Sequence, residues 1–306
     1  GTLSGRVGQP RVGFLFTGQG SQYRGMGLAL ATREPVFRAA LDRADAVLRP
    51  LLGRSVDALL AADDLDDTGN AQPAICAVQL ALLELLAGWG VRPAMVLGHS
   101  VGEIAAAHAA GVLSFEDALR LAALRGRVMQ ALPAGGAMLA LRADAATAEG
   151  LLAGLTRDVG LAALNGPGAT VVSGTAAAVA TVGARAAAAG LTAMPLRVSH
   201  AFHSPLMEPA REPFAAVLED VALQPARLPV YSTLTGDMDA DLSDPNEMLF
   251  TNARFNPSIA VPISVTVTMP MTIPSVVRIE RILFARSAAQ EMPTPSRSSK
   301  NTFMLE

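Results

Sequence analysis

The sequence predicts an α/β fold, with a large lobe built on a parallel sheet and a smaller lobe inserted into it. Three observations predict it. Short apolar strands alternate with longer helical stretches along the N-terminal part of the chain. A serine flanked by glycines, Gly98-His99-Ser100-Val101-Gly102, stands where a strand gives way to a helix. Residues 132–198 then change to a β-α-β-β-α-β order.

The elements follow in turn. Arg11 to Phe16 is a short apolar strand, followed by a glycine-rich turn through Gly18, Gly20, Gly25 and Gly27. Helical spacing fills residues 28 to 60 and again 71 to 88. Pro93 to Leu97 is a strand entering the Ser100 turn, and Val101 to Ala110 is an alanine-rich helix. That strand–turn–helix arrangement makes the large lobe α/β-hydrolase-like. Next come a strand at Ala137 to Leu141 and a helix at Ala143 to Leu155. Paired strands at Leu161 to Asn165 and Thr170 to Ser173 lie around Gly166-Pro167-Gly168. A helix at Ala176 to Ala189 and a strand at Thr192 to Val198 complete a ferredoxin-like unit. The large lobe is therefore expected over residues 1–131 and 199–245, with the small lobe at 132–198.

Composition narrows the function. With 306 residues, 51% of them hydrophobic and 17% charged, the chain can bury a substantial core and is not a disordered one. A net charge of −3 supplies no basic field for nucleic acid or an anionic membrane. The single cysteine, Cys76, excludes an internal disulfide and a cysteine metal cluster, and suits a buried residue in a reducing cytoplasm. Mean hydropathy is +0.35. Even so, the most apolar helical stretch, Ala71 to Gly90, carries Gln72, Gln79 and Glu84 and reads as a core helix rather than a membrane span. The chain opens without a signal-peptide pattern.

The chemistry centres on Ser100. The flanking glycines allow a tight turn, and the helix that follows offers free N–H groups to a developing oxyanion. A serine nucleophile needs a base. Of the four histidines, His99 adjoins the serine and diverges from it. His108 lies eight residues along the helix, roughly 12 Å away at 1.5 Å per residue. His200 and His203 remain, and spacing does not choose between them.

Four segments carry a resemblance. They are Phe16-Thr17-Gly18-Gln19-Gly20-Ser21-Gln22, Gly98 to Glu103, Arg125-Gly126-Arg127-Val128-Met129-Gln130, and Val198-Ser199-His200-Ala201-Phe202-His203-Ser204-Pro205. In this order and spacing the chain resembles the acyltransferase domains of polyketide synthases, and is similar to the malonyl-CoA:acyl-carrier-protein transacylases. The likeness runs from about Val12 to Gly236 and includes Pro229 to Gly236.

The resemblance implies a Ser100–His203 dyad, with an oxyanion hole formed by the Val101 and Gln19 amides. Arg125 is implied as the clamp on the free carboxylate of a dicarboxylic acyl group. His200 and Phe202 face the acyl chain in that reading. Phe202 replaces the serine of the Tyr-Ala-Ser-His found in relatives that take methylmalonyl, so it would crowd a 2-methyl branch. His99, Gln72 and Asn252 are supporting residues, the Asn252 region supplying the carbonyl that holds His203. Glu103 belongs to the same motif, with a packing role. The expected substrate is malonyl-CoA, and the expected acceptor is the phosphopantetheine thiol of an acyl carrier protein. Flanking synthase domains are further partners, and no metal or bound cofactor is implied. A thioester hydrolase on the same scaffold and an inactive carrier-docking domain are the alternatives.

The chain changes vocabulary after Pro245. Five of seven isoleucines, five of twelve methionines and the only lysine, Lys300, fall beyond it. The Tyr-Trp pair expected of the family is absent, and no glycine follows Gly236. Residues 246–306 are therefore set apart as an atypical C-terminal segment.

Overall fold

The protein is described from a computed structural model, and the residues described are 12–196, 198, 200–231, 233 and 242–245. These all lie in one compact unit of the chain, Gly1–Val265. The segment 246–306, with Asn252, lies outside the described residues.

The chain begins with strand β1 (Gly13–Phe16), a short helix α1 (Leu28–Ala31), and helices α2 (Pro35–Leu52) and α3 (Val56–Leu60). Proline at the first helical position and Gly53 in the left-handed conformation after the last one bound α2. Its buried residues Phe37, Ala40, Leu41, Ala44 and Leu48 recur every three or four positions, which makes one apolar stripe. Each such leucine, fully buried, stabilises the fold by roughly 1.5–3 kcal/mol.

Helix α4 (Thr68–Gly88) follows. It is long and apolar enough by composition to cross a membrane, yet 61% of its most apolar window is buried inside the protein. It is the core helix expected from its glutamines, starting three residues earlier than the spacing places it. Strand β2 (Met95–Gly98), helix α5 (Gly102–Ala109) and helix α6 (Phe115–Gln130) complete this part. Ser114 caps α6, its hydroxyl accepting from the Asp117 amide, with Glu116 and Asp117 in the first turn.

The next stretch runs β3 (Gly136–Leu141), α7 (Ala145–Leu151), β4 (Val159–Gly166), β5 (Ala169–Thr175), α8 (Ala176–Ala188) and β6 (Ala193–Pro195). A 3-10 turn (Pro205–Ala210), helix α9 (Arg211–Glu219) and strand β7 (Val230–Tyr231) follow.

Two sheets result. β1, β2 and β7 form a parallel sheet with β2 in the middle, and β4-β5-β3-β6 form an antiparallel one. In the parallel sheet Phe16 lies opposite Gly98 and Leu97 opposite Tyr231. The three strands therefore end at one level. The glycine turn after β1, the Ser100 turn after β2 and Thr233 after β7 all emerge at the carboxyl edge, where open α/β sheets bind ligands. Each sheet has its own hydrophobic cluster, the larger around α2, α4, α5 and α6.

Candidate active site

Ser100 occupies a tight turn. Its φ of 53° lies in the left-handed region, which costs a non-glycine residue about 1–3 kcal/mol. Backbone hydrogen bonds hold the turn: His99 N–H to the Phe16 carbonyl at 2.9 Å, Gly102 N–H to His99 at 2.9 Å, and Glu103 N–H to Ser100 at 3.0 Å. The two glycines are demanded by close approach. A Cβ on Gly98 would collide with the Glu103 backbone, and one on Gly102 with the Phe16 carbonyl oxygen. Gly18 belongs to the same packing, since a Cβ there would stand 2.8 Å from the His99 carbonyl oxygen and 3.2 Å from the Ser100 Cβ. The glycine turn after β1 thus lies directly against the serine turn.

His203 comes from the chain after β6. Its Nε2 lies 3.1 Å from the Ser100 Oγ, across 103 positions of sequence. It too has a left-handed backbone, with φ 56°. Among the described residues, Ser100 and His203 are the only non-glycine ones at positive φ. Strain of this kind persists only where the surroundings over-determine it, and both instances meet at one hydrogen bond.

The guanidinium of Arg125 enters from α6 and is 2% exposed. One nitrogen donates to the Gln72 Oε1 at 2.8 Å and another to the Ser100 Oγ at 3.3 Å. The Gln72 amide in turn donates to the Met129 sulfur at 3.3 Å. Close contact of α4 and α6 makes this possible, for a Cβ on Gly126 would stand 2.8 Å from the Thr68 carbonyl oxygen. Burial pushes the Arg125 pKa down to about 10, opposed by the nearby Glu103 carboxylate. The group remains cationic at neutral pH. Ser100 is therefore placed to donate to His203 while it accepts from Arg125.

The remaining expected residues are distributed around this cluster. Gln19 sits in the turn beside the serine, its side-chain amide donating to the Thr68 hydroxyl at 3.2 Å. The Val101 amide opens α5, in the position that caps the helix. His99 keeps an exposed surface. Desolvation by the surrounding protein, together with the Arg125 charge, still holds its imidazole below the ordinary histidine value. Its ring centroid lies 6.4 Å from that of His203.

His200 is not drawn to the serine. It is buried, and its Nε2 donates to the Leu132 carbonyl at 3.0 Å, tying the returning chain to the end of α6. Phe202 is buried in the larger hydrophobic cluster, 6.1 Å from the His200 ring. His108 faces away, its Nδ1 3.0 Å from the Leu113 carbonyl oxygen.

Two members of the site escaped the sequence reading. Met129 lies one helical turn after Arg125, so its place beside Gln72 had a signal in the four-residue spacing. Thr233 lies in the Pro229 to Gly236 stretch of the likeness, but nothing in the spacing showed its partner: its hydroxyl donates to the buried Glu103 carboxylate at 2.6 Å across 130 positions.

A serine at a strained strand-to-helix turn, an imidazole on its hydroxyl and a buried cation on the other side define an acyl-transfer type of centre. Residues 13–270 match the family described as the acyl transferase domain, and the chain belongs to that family. The match continues past Gly236 and Pro245, beyond the point where the residue-by-residue likeness was expected to end. Within the family this is an acyltransferase domain of the polyketide synthase kind. It is 47% identical over 248 residues to polyketide synthase GfsA of Streptomyces halstedii, a match covering 77% of this chain and 3% of that synthase. The chain thus spans a small fraction of that relative's length. Among solved structures it resembles the acyltransferase domain from the second module of the salinomycin polyketide synthase. That likeness has a TM-score of 0.74 at 45% identity and covers 81% of this chain and 59% of the other. A malonyl-transacylase solved in complex with its type II polyketide synthase acyl-carrier protein is similar at 32% identity, with a TM-score of 0.74 and 82% of each chain covered.

Proposed function

We propose that this domain transfers a malonyl group from malonyl-CoA, through an ester on Ser100, to the phosphopantetheine thiol of an acyl carrier protein. One observation carries the reading: His203 and Arg125 meet on the Ser100 hydroxyl, at 3.1 and 3.3 Å. A base and a carboxylate-binding cation on either side of one nucleophile fit a small acyl group that bears a second acid.

In this mechanism His203 takes the Ser100 proton as Oγ attacks the thioester carbonyl. The oxyanion forms beside the Val101 and Gln19 amides, each worth about 2.7–4 kcal/mol if it donates in the transition state. Collapse expels the CoA thiolate, which receives the proton from His203. The carrier thiol then gives its proton to His203, attacks the ester and regenerates Ser100. Arg125 holds the distal carboxylate throughout, and acetyl brings no carboxylate to that buried guanidinium. The carrier as acceptor is supported by the similar transacylase solved with its carrier protein. We read the parallel sheet as the hydrolase-like lobe and the antiparallel one as the ferredoxin-like insert, divided at residues 131/132 and 198/199.

Incubation with equal malonyl-, methylmalonyl- and acetyl-CoA followed by intact-mass measurement tests this directly. A malonyl adduct should dominate, and a dominant acetyl adduct or none would overturn it. Phe202→Ser should raise the methylmalonyl-to-malonyl adduct ratio by about tenfold, the lower end of what one buried methyl discriminates. The ratio is the proper readout, because removing a buried phenyl also destabilises the fold and a ratio is insensitive to that. An unchanged ratio would remove Phe202 as the gate.

A further inference from the structure

The left-handed backbone of His203 is one that an L residue rarely adopts, so its loop must enforce it. The adjacent side chain is built to do so. Ser204 is completely buried. Its hydroxyl donates to the Ala201 carbonyl at 2.6 Å and accepts from the Leu206 amide at 3.2 Å. A single oxygen thereby ties the residue two before His203 to the residue three after it. The Met207 amide donates to the Ser204 carbonyl at 3.0 Å and carries the tie into the 3-10 turn.

Both ends of this clasp are anchored in packed structure. Ala201 is pressed against β3, for a Cβ on Gly136 would collide with its methyl group and stand 2.6 Å from its nitrogen. Met207 is buried in the larger hydrophobic cluster. His203 itself is only half-buried, so its neighbours do not enclose it completely.

We propose that Ser204 is a positioning residue for the His203 imidazole, its hydroxyl clasping the loop so that Nε2 stays on the Ser100 hydroxyl. The role rests on the assignment of His203 as the base. A serine that merely capped the following turn would add stability and leave the chemistry unchanged. Ser204 acts on the rate through the histidine, and a double-mutant cycle distinguishes the two.

The experiment follows single-turnover malonylation of Ser100 by intact mass in the wild type, Ser204→Ala, His203→Ala and the double variant. Ser204→Ala should slow acylation by about 10- to 100-fold, the range that a misplacement of about 1 Å produces. The malonyl-CoA concentration giving half the maximal rate should stay within about twofold. In the His203→Ala background the serine substitution should slow the reaction no further. Ser204→Cys, similar in shape with a weaker donor, should fall between, and it carries the same cycle if the alanine variant does not fold. Ser204→Ala acylating at the wild-type rate, or slowing His203→Ala by the same factor as the wild type, would overturn the proposal alone. His203→Ala acylating at the wild-type rate would overturn the base assignment and this role with it.

Discussion

Ser100→Ala should leave no covalent malonyl adduct after incubation with malonyl-CoA, measured as intact mass. One serine and one threonine of the turn after β1, Ser21 and Thr17, are engaged otherwise: the Thr17 hydroxyl donates to that of Ser21, and Ser21 donates to the Gly18 carbonyl. Among the described residues only Ser100 combines the strained turn, an imidazole at 3.1 Å and a cation at 3.3 Å. The substitution removes one small polar atom, and alanine can occupy the same turn at a similar backbone cost. Folding should therefore be little changed, while transfer to a carrier thiol falls by more than about a hundredfold because the covalent route is closed. A malonyl adduct on the alanine variant would mean that the nucleophile lies elsewhere.

Arg125→Ala should cost malonyl use far more than acetyl use. A bidentate carboxylate–guanidinium pair contains two charge-assisted hydrogen bonds, each worth about 1.5–3 kcal/mol. Losing both lowers kcat/KM for malonyl-CoA by roughly 10²- to 10⁴-fold, whereas acetyl-CoA has no carboxylate to lose. The variant also strips Gln72 of its donor in a buried place, which weakens the fold by about 1–3 kcal/mol. The malonyl-to-acetyl ratio is thus the decisive quantity, and equal losses for both substrates would end the clamp assignment. Arg125→Lys should recover little, since a point charge cannot match the planar fork. Burial pushes the guanidinium down to about 10, still well above neutrality. If Arg125 is the clamp, the wild-type malonyl-to-acetyl ratio should stay flat from about pH 6 to about pH 9, because the guanidinium keeps its charge throughout that range.

Where the physics is local, the residues spoke for themselves. The serine turn was readable because two glycines in a five-residue span between an apolar strand and an alanine-rich helix admit few backbone paths. The β-α-β-β-α-β alternation was readable because each helix and strand carries its own periodicity. Boundaries shifted by a few residues: the first helical stretch is three helices, broken near residues 32–34 and at Gly53 to Ser55. The helix at Ala143 to Leu155 shortens to Ala145–Leu151, because Asp144 caps it, its carboxylate accepting from the Thr147 amide.

Side-chain partnerships were another matter. Spacing left His200 and His203 equivalent, two candidates three residues apart on one loop. The folded chain separates them: one is tied to the Leu132 carbonyl, and the other is turned by a positive φ onto Ser100. Gln72 and Arg125 stand 53 positions apart and meet only because glycines let α4 and α6 approach closely. The clasp of Ser204 likewise depends on where Ala201 is pressed against β3. By itself, then, the sequence determined the α/β class, the tight turn at Ser100 and the residue types available for catalysis, because steric limits and hydrophobic periodicity act over a few neighbours. Spacing and periodicity did not choose the imidazole; the motif likeness pointed to His203. The tertiary structure showed it on the serine and showed what holds the arginine, because those contacts depend on how distant helices and loops pack.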